Sequence, residues 1–179
     1  MDLKSFAEMA VHVPMCTHKE PSNVLVLGAT DEMKKEFDKH CAKVCFSQNL
    51  DEILSKNEKE FDVIVFINEK PNEIILANLE KIIKTDAVFA FTSSHYDLDF
   101  DGLCSDLNIV GKNFWIAMPY TFGENCMVLA SKVYHPTADL ILQRSDLLDD
   151  LDYYSTEIHS ASFVTPAKTF KKLTNIAKR

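Results

Sequence analysis

Chemistry in this chain is concentrated at one turn and in three small clusters of reactive side chains. The stretch Asn23 to Glu32, NVLVLGATDE, runs from an apolar segment through a single glycine, Gly28, into a charged segment of helical period. A buried parallel strand passes into a helix in this way at dinucleotide and adenosine sites, where the turn lies against the ligand. Here Ala29 and Thr30 stand where further glycines would let a ligand touch the backbone, and Asp31 falls in the first turn of the following helix. An acid at that place also favours the helix by itself, through the macrodipole. His12, Cys16 and His18 suggest a metal cluster, but Pro14 interrupts their spacing and no metal is expected. His40, Cys41 and Cys45 straddle a helix end and a strand, and Ser94-His95 lacks the glycine context of a nucleophile elbow.

The elements that must position these residues alternate along the chain. Phe6, Met9, Ala10 and Val13 have helical spacing, so a lead-in helix over 3–12 is expected, ended by Pro14 and followed by a polar connector to Ser22. Strands are expected at 24–28, 44–47, 62–67 and 87–93, with helices from Asp31 to Cys41, Leu50 to Lys56 and Asn72 to Ile83 between them. Strands apolar on both faces and separated by amphipathic helices mean an α/β fold with a mostly parallel sheet covered on both sides. FWIAMPY (114–120) and CMVLASKV (126–133) flank a short loop with Gly123 and read as an antiparallel pair at the end of the sheet. An acidic helix over 138–151 is expected next, within a C-terminal helical segment spanning 137–179.

Bulk properties set limits on this reading. A chain of 179 residues fits one domain, and at that length roughly 70% of the unfolded surface is buried on folding, so no metal or disulfide staple is required. The net charge of −8, with acids and bases interleaved, lacks the footprint of a nucleic-acid binder. The first residues, MDLKSFAEMAVHVPM, read as neither signal peptide nor membrane helix, so no membrane partner and a cytoplasmic location are expected. Five cysteines without CxxC spacing fit a reduced compartment.

A longer string then becomes informative. Tyr153 to Pro166, YYSTEIHSASFVTP, resembles the C-terminal signature of spermidine synthases, Y-Y-N-x-E-I-H-x-A-A-F-x-L-P. FAEMAVHVPM resembles that family's Y-H-E-M-x-x-H-x-P-L segment, FDVIVFINE its Y-D-V-I-x-x-D-x-x-D strand, and PYTFGENCMVLASK its P-T-Y-P-S-G-x-W-x-F-x-x-A-S-K stretch. The resemblance spans about Phe6 to Leu173. It implies a Rossmann-like, methyltransferase-type fold and transfer of an aminopropyl group from decarboxylated S-adenosylmethionine to putrescine, giving spermidine and methylthioadenosine. No tightly bound cofactor is implied, the nucleoside being a co-substrate. A homodimer is implied as the assembly, and the chain reads as a short member without the family's N-terminal β-domain.

That reaction requires an alkylammonium to lose a proton and two cationic reactants to be held in line, so carboxylates at strand ends carry it. By resemblance, Asp31 matches the aspartate of the G-G-G-D-G turn and contacts the aminopropyl ammonium, while Gly28 begins the turn. Ala29, Thr30 and Glu32 replace the other glycines. Ser47, Gln48 and Asn49 occupy the end of the second strand, where the family has a ribose-binding acid, leaving Gln48 and Asn49 as its substitutes. On the catalytic strand the family's first aspartate is set against Phe66 and its second against Glu69, which becomes the expected base. In the putrescine region Glu8 and Tyr120 are retained, whereas Ala7 and Asn125 replace a histidine and a tryptophan. The interval from Gly28 to Phe61 holds one strand and two helices, one strand–helix unit fewer than usual. Three functions follow: an aminopropyltransferase with a degenerate site, a non-catalytic binding or dimerisation module on the same scaffold, or an S-adenosylmethionine-dependent methyltransferase.

Overall fold

The computed structural model describes residues 1–54 and 59–179. It forms one six-stranded sheet in the order β2-β1-β3-β4-β6-β5. The strands are β1 (Asn23–Leu27), β2 (Lys43–Ser47), β3 (Phe61–Phe66), β4 (Ile83–Ser93), β5 (Ile116–Phe122) and β6 (Asn125–Ser131). β1 pairs in parallel with β2 and β3, and β3 with β4. β6 is antiparallel to both β4 and β5, so it alone runs against the rest. The expected α/β class, mostly parallel with an antiparallel pair at one end, is the observed one.

Alternation along the strands divides the interior. Val24, Val26, Val63, Val65, Val88 and Ala90 face one layer, built on α1 (Leu3–Thr17) and α2 (Asp31–Phe37). Leu25, Leu27, Ile64, Phe66, Phe89 and Phe91 face the other, covered by α3 (Leu50–Leu54), α4 (Glu73–Ile82) and α5 (Phe100–Val110). Burial on both faces explains why these strands read as unbroken apolar runs.

Several boundaries differ from expectation. α1 continues through Pro14 to Thr17, because Pro14 sits in its last turn and Met15, Cys16 and Thr17 are fully buried there. The missing proline amide costs one helical bond, whereas the His18 amide still reaches the Pro14 carbonyl at 3.2 Å. α2 ends at Phe37 rather than Cys41, and the helix expected to reach Lys56 is described to Leu54, residues 55 and 56 lying outside the described residues. The acidic helix expected over 138–151 is only α6 (Leu142–Asp146), followed by α7 (Thr156–Ser162) and α8 (Ala167–Lys172). Asp150 has φ 55°, which ends any helical run there. α5 had no counterpart in the sequence reading, although Asp99 caps it by accepting the Gly102 amide at 2.9 Å and Leu103, Leu107 and Val110 line its buried face. Among the described residues, no helix is long and apolar enough to cross a membrane.

Candidate functional site

The chain order around the sheet reverses beside β1, whose neighbours are β2 on one side and β3 on the other. At the carboxyl end of such a switch point the loops part and leave a crevice. One lies there, about 280 Å³, lined by Leu27, Gly28, Gln48, Leu50, Ile67, Asn68 and Glu69. That is the lower end of the range for small-molecule sites.

The turn after β1 shows what each residue does. Gly28 has φ 77°, and a Cβ there would lie 2.7 Å from the Ile67 carbonyl oxygen. The glycine is therefore required by the approach of the β1 and β3 loops, a demand independent of any ligand. Ala29 packs into the core, and Thr30 is the N-cap of α2, its hydroxyl accepting the Met33 amide at 3.2 Å. The residues in place of glycine build a capped helix start.

Of the expected site residues, the crevice brings together Gly28, Gln48 and Glu69. Asp31 lies outside it, on the exposed face of α2, its side chain 83% exposed and paired with Lys34 at 2.8 Å. That hydrogen bond, with the lysine charge behind it, lowers the Asp31 carboxyl. Asn49 is used locally: its amide donates to Ser47 Oγ at 3.0 Å and its Oδ1 accepts the Asp51 amide at 2.9 Å, in the turn leading into α3. Among the described residues, the crevice lining therefore carries two side-chain amides, one carboxylate and apolar walls, with no lysine or arginine. It can pair with neutral polar groups, and Glu69 can accept a proton or hold an ammonium.

The catalytic strand requires a correction. Counted from Phe61, the two acid positions of Y-D-V-I-x-x-D-x-x-D fall on Ile67 and Lys70, one residue beyond Phe66 and Glu69. Phe66 ends β3 and is fully buried, its ring 5.2 Å from that of Phe89, so it never reached the crevice. An apolar residue and a cation thus stand at the two acid positions. Lys70 Nζ lies 3.0 Å from Asp106 Oδ2 and donates to Ser94 Oγ at 3.1 Å. Lys70 carries no acid signature in the sequence, and the place of Asp106 beside it depends on α5, which the sequence pattern does not show.

Glu8 and Tyr120, expected to bind a substrate, lie in the interior. Glu8 is fully buried, Oε1 accepting the Asp152 amide at 2.8 Å and Oε2 the Tyr153 and Tyr154 amides at 2.7 and 2.8 Å. Tyr120 is also fully buried, its hydroxyl donating to Met127 Sδ at 3.2 Å. In this arrangement neither is open to a substrate, and Glu8 instead ties α1 to the C-terminal segment.

The histidines extend that tie. His12 Nε2 donates to Glu36 Oε2 at 2.9 Å, which leaves its Nδ1 to accept from His40 Nε2, also at 2.9 Å. The His159 Nε2 donates to the Pro136 carbonyl at 3.0 Å, so its Nδ1 accepts the Tyr154 hydroxyl at 2.9 Å. Burial pushes His40 down to about 3 and His159 to about 4, and raises the Tyr154 phenol well above its ordinary value. His12 thus bonds within the fold and does not meet His18. His18 Nε2 is itself buried without a hydrogen-bond partner, 4.0 Å from Asp62 and 3.8 Å from Asp86. This trio has metal-like proximity. However, His18 Nδ1 accepts the Glu20 amide at 3.1 Å, so Nε2 carries the proton and offers no lone pair, while Lys84 holds Asp62 Oδ1 at 2.7 Å.

No family model matches the chain. It is similar to the polyamine aminopropyltransferase of Helicobacter acinonychis strain Sheeba, 28% identical, the match covering 89% of this chain and 73% of that one. Similarity to the polyamine aminopropyltransferase of Thermoanaerobacter sp. strain X514 is 27%, over 90% of this chain and 75% of the other. The crystal structure of spermidine synthase from Thermotoga maritima superposes with a TM-score of 0.82 at 24% identity, over 97% of this chain and 76% of that one. The chain is thus similar in sequence to polyamine aminopropyltransferases and has the methyltransferase-like fold of spermidine synthase.

Proposed function

We propose that this protein keeps the nucleoside end of an aminopropyltransferase cleft and has lost the acids of its amine end, so that it binds a nucleoside of the methylthioadenosine type without transferring the aminopropyl group. The observation that carries this reading is the loop after β3, where Ile67 and Lys70 stand at the two acid positions and Lys70 is bonded to Asp106. In-line displacement needs a base at the attacking amine, and loss of a general base costs about 10²–10⁴ in rate. Lys70, paired with Asp106, offers no acceptor for the proton of an attacking amine. The crevice lining of Gln48, Asn68, Leu50 and Ile67 supports a neutral, polar-and-apolar ligand of nucleoside kind.

The test is methylthioadenosine binding by calorimetry together with methylthioadenosine release from decarboxylated S-adenosylmethionine and putrescine. Saturable binding with no release supports the reading, and release above the uncatalysed rate overturns it. A second reading rests on Glu69, the one carboxylate lining the crevice among the described residues. In it Glu69 replaces the missing base, and release is lost in Glu69→Gln. As a methyltransferase the chain would meet the same lack of a ribose acid after β2, and preferential binding of S-adenosylmethionine would be its mark. The homodimer implied by the resemblance and the cytoplasmic location are carried as part of the proposal, and sedimentation tests the first.

A further inference from the structure

A second cavity, of about 350 Å³, opens where the C-terminal segment meets β5, with Met118, Phe163 and Phe170 among its apolar walls. That volume suits a small molecule. Among the described residues it shares no lining residue with the crevice beside β1. His135, which also lines it, follows β6, the strand that runs against the rest, and so stands at the end of the sheet opposite that crevice.

The polar groups of this cavity are hydrogen-bond donors. His135 Nδ1 accepts the Thr137 and Ala138 amides at 3.3 and 3.2 Å, so the neutral ring carries its proton on Nε2. Thr165 Oγ1 is buried without a hydrogen-bond partner, a costly state for a hydroxyl that a ligand acceptor relieves. The Arg179 guanidinium lies over the Phe170 ring, 4.4 Å from its centroid. Such stacking fixes the guanidinium plane and leaves its N–H edge for a planar, bidentate acceptor. Among the described residues no Asp or Glu side chain lines the cavity, and Asp139 is engaged by the His135 amide at 2.7 Å. The segment from Ile158 to Arg179 carries Lys168, Lys171, Lys172, Lys178 and Arg179 and no acid, in a chain whose net charge is −8. A cation and neutral donors above an apolar floor complement an anionic head on an apolar body.

We infer that this cavity binds a monocarboxylate with an aryl or short alkyl body, its carboxylate held by Arg179 and Thr165 and its body lying on Met118, Phe163 and Phe170. The inference is independent of the nucleoside reading of the crevice, with which it shares neither residues nor ligand charge.

The experiment titrates the full chain by calorimetry, at matched ionic strength, with three probes of one shape: 3-phenylpropionate, 3-phenylpropan-1-ol and 3-phenylpropylammonium. Saturable binding of the carboxylate is expected, at least tenfold tighter than that of the alcohol or the ammonium. Arg179→Gln should weaken it about 10- to 150-fold, the worth of a hydrogen bond to a charged group. Arg179→Lys, which keeps the charge without the planar fork, should recover part of that loss. Thr165→Val should weaken binding about 2- to 12-fold, the worth of one hydrogen bond. Arg179 is exposed, so its variants test the site even where Thr165→Val disturbs folding. No saturable binding of the carboxylate at millimolar concentration, binding of the alcohol as tight as that of the carboxylate, or binding unchanged in Arg179→Gln would each overturn the inference.

Discussion

Glu8 Oε2 accepts the backbone amide of Tyr154 at 2.8 Å, joining residues 146 positions apart through the interior. The residues that most visibly resemble an enzyme signature at the two ends of the chain are thus bonded to each other. His12 packs edge-on against Tyr154, with ring centroids 5.0 Å apart, and Tyr154 donates to His159. These residues hold the scaffold together, so their retention says little about catalysis.

Glu8→Ala should therefore act on stability. It removes a fully buried acceptor from three amides, that of Tyr154 buried and those of Asp152 and Tyr153 part-buried, and each buried donor left unsatisfied costs about 1–3 kcal/mol. A loss of at least about 1 kcal/mol is expected in urea unfolding. A change below about 0.5 kcal/mol would show that the C-terminal segment is held by other contacts.

Acid should destabilise the fold before the carboxylate range is reached. Burial lowers His40 to about 3 and His159 to about 4, whereas the unfolded chain restores both to about 6.5. Between those values the unfolded chain binds protons that the folded one does not, so stability rises with pH and is lost as pH falls from about 6.5 toward 4. Each histidine contributes a slope of up to about 1.4 kcal/mol per pH unit. His12 and His18, also lowered by burial, add in the same direction. At Asp62, burial, which raises the carboxyl, is outweighed by Lys84 and the Asn23 and Ser22 amides, so its loss begins only near 4. Melting midpoints from pH 7 to 4 check this, and His159→Gln should flatten the upper part of the curve.

Gly28→Ala tests the meeting of the β1 and β3 loops. The substituted residue must hold φ 77° with its Cβ 2.7 Å from the Ile67 carbonyl, which costs at least about 1 kcal/mol from the backbone alone. Both stability and nucleoside binding should fall, because the same loops wall the crevice. An unchanged midpoint would mean that the β3 loop moves aside freely.

Much of the architecture was legible because burial on both faces writes itself as apolar runs: β1, β3 and β4 each fell where expected. The boundaries that failed were decided by packing. α1 passes Pro14 because Met15 and Cys16 are drawn into the core, and the three aspartates around Phe100 mask the Leu103, Leu107 and Val110 face of α5 in the sequence. The site was legible only in part. Gly28, Gln48 and Glu69 meet in one crevice, but pattern alone shows neither that Asp31 turns outward to Lys34 nor that Glu8 turns inward to the tail.

Gln48, in the crevice, and Asp31, outside it, should separate. Gln48→Ala removes a lining amide and should weaken methylthioadenosine binding about 2- to 12-fold, the worth of one hydrogen bond. Asp31→Asn, on the exposed face of α2, should leave binding unchanged. Calorimetry on both variants decides whether the turn after β1 still serves a ligand through its acid.

The most direct test is methylthioadenosine release by the folded, purified chain at high concentration, with decarboxylated S-adenosylmethionine and putrescine both present. The account predicts release no faster than the uncatalysed background, from protein that binds methylthioadenosine saturably in the same buffer. Release well above background, abolished by Glu69→Gln, would contradict it and make Glu69 the base of a working aminopropyltransferase.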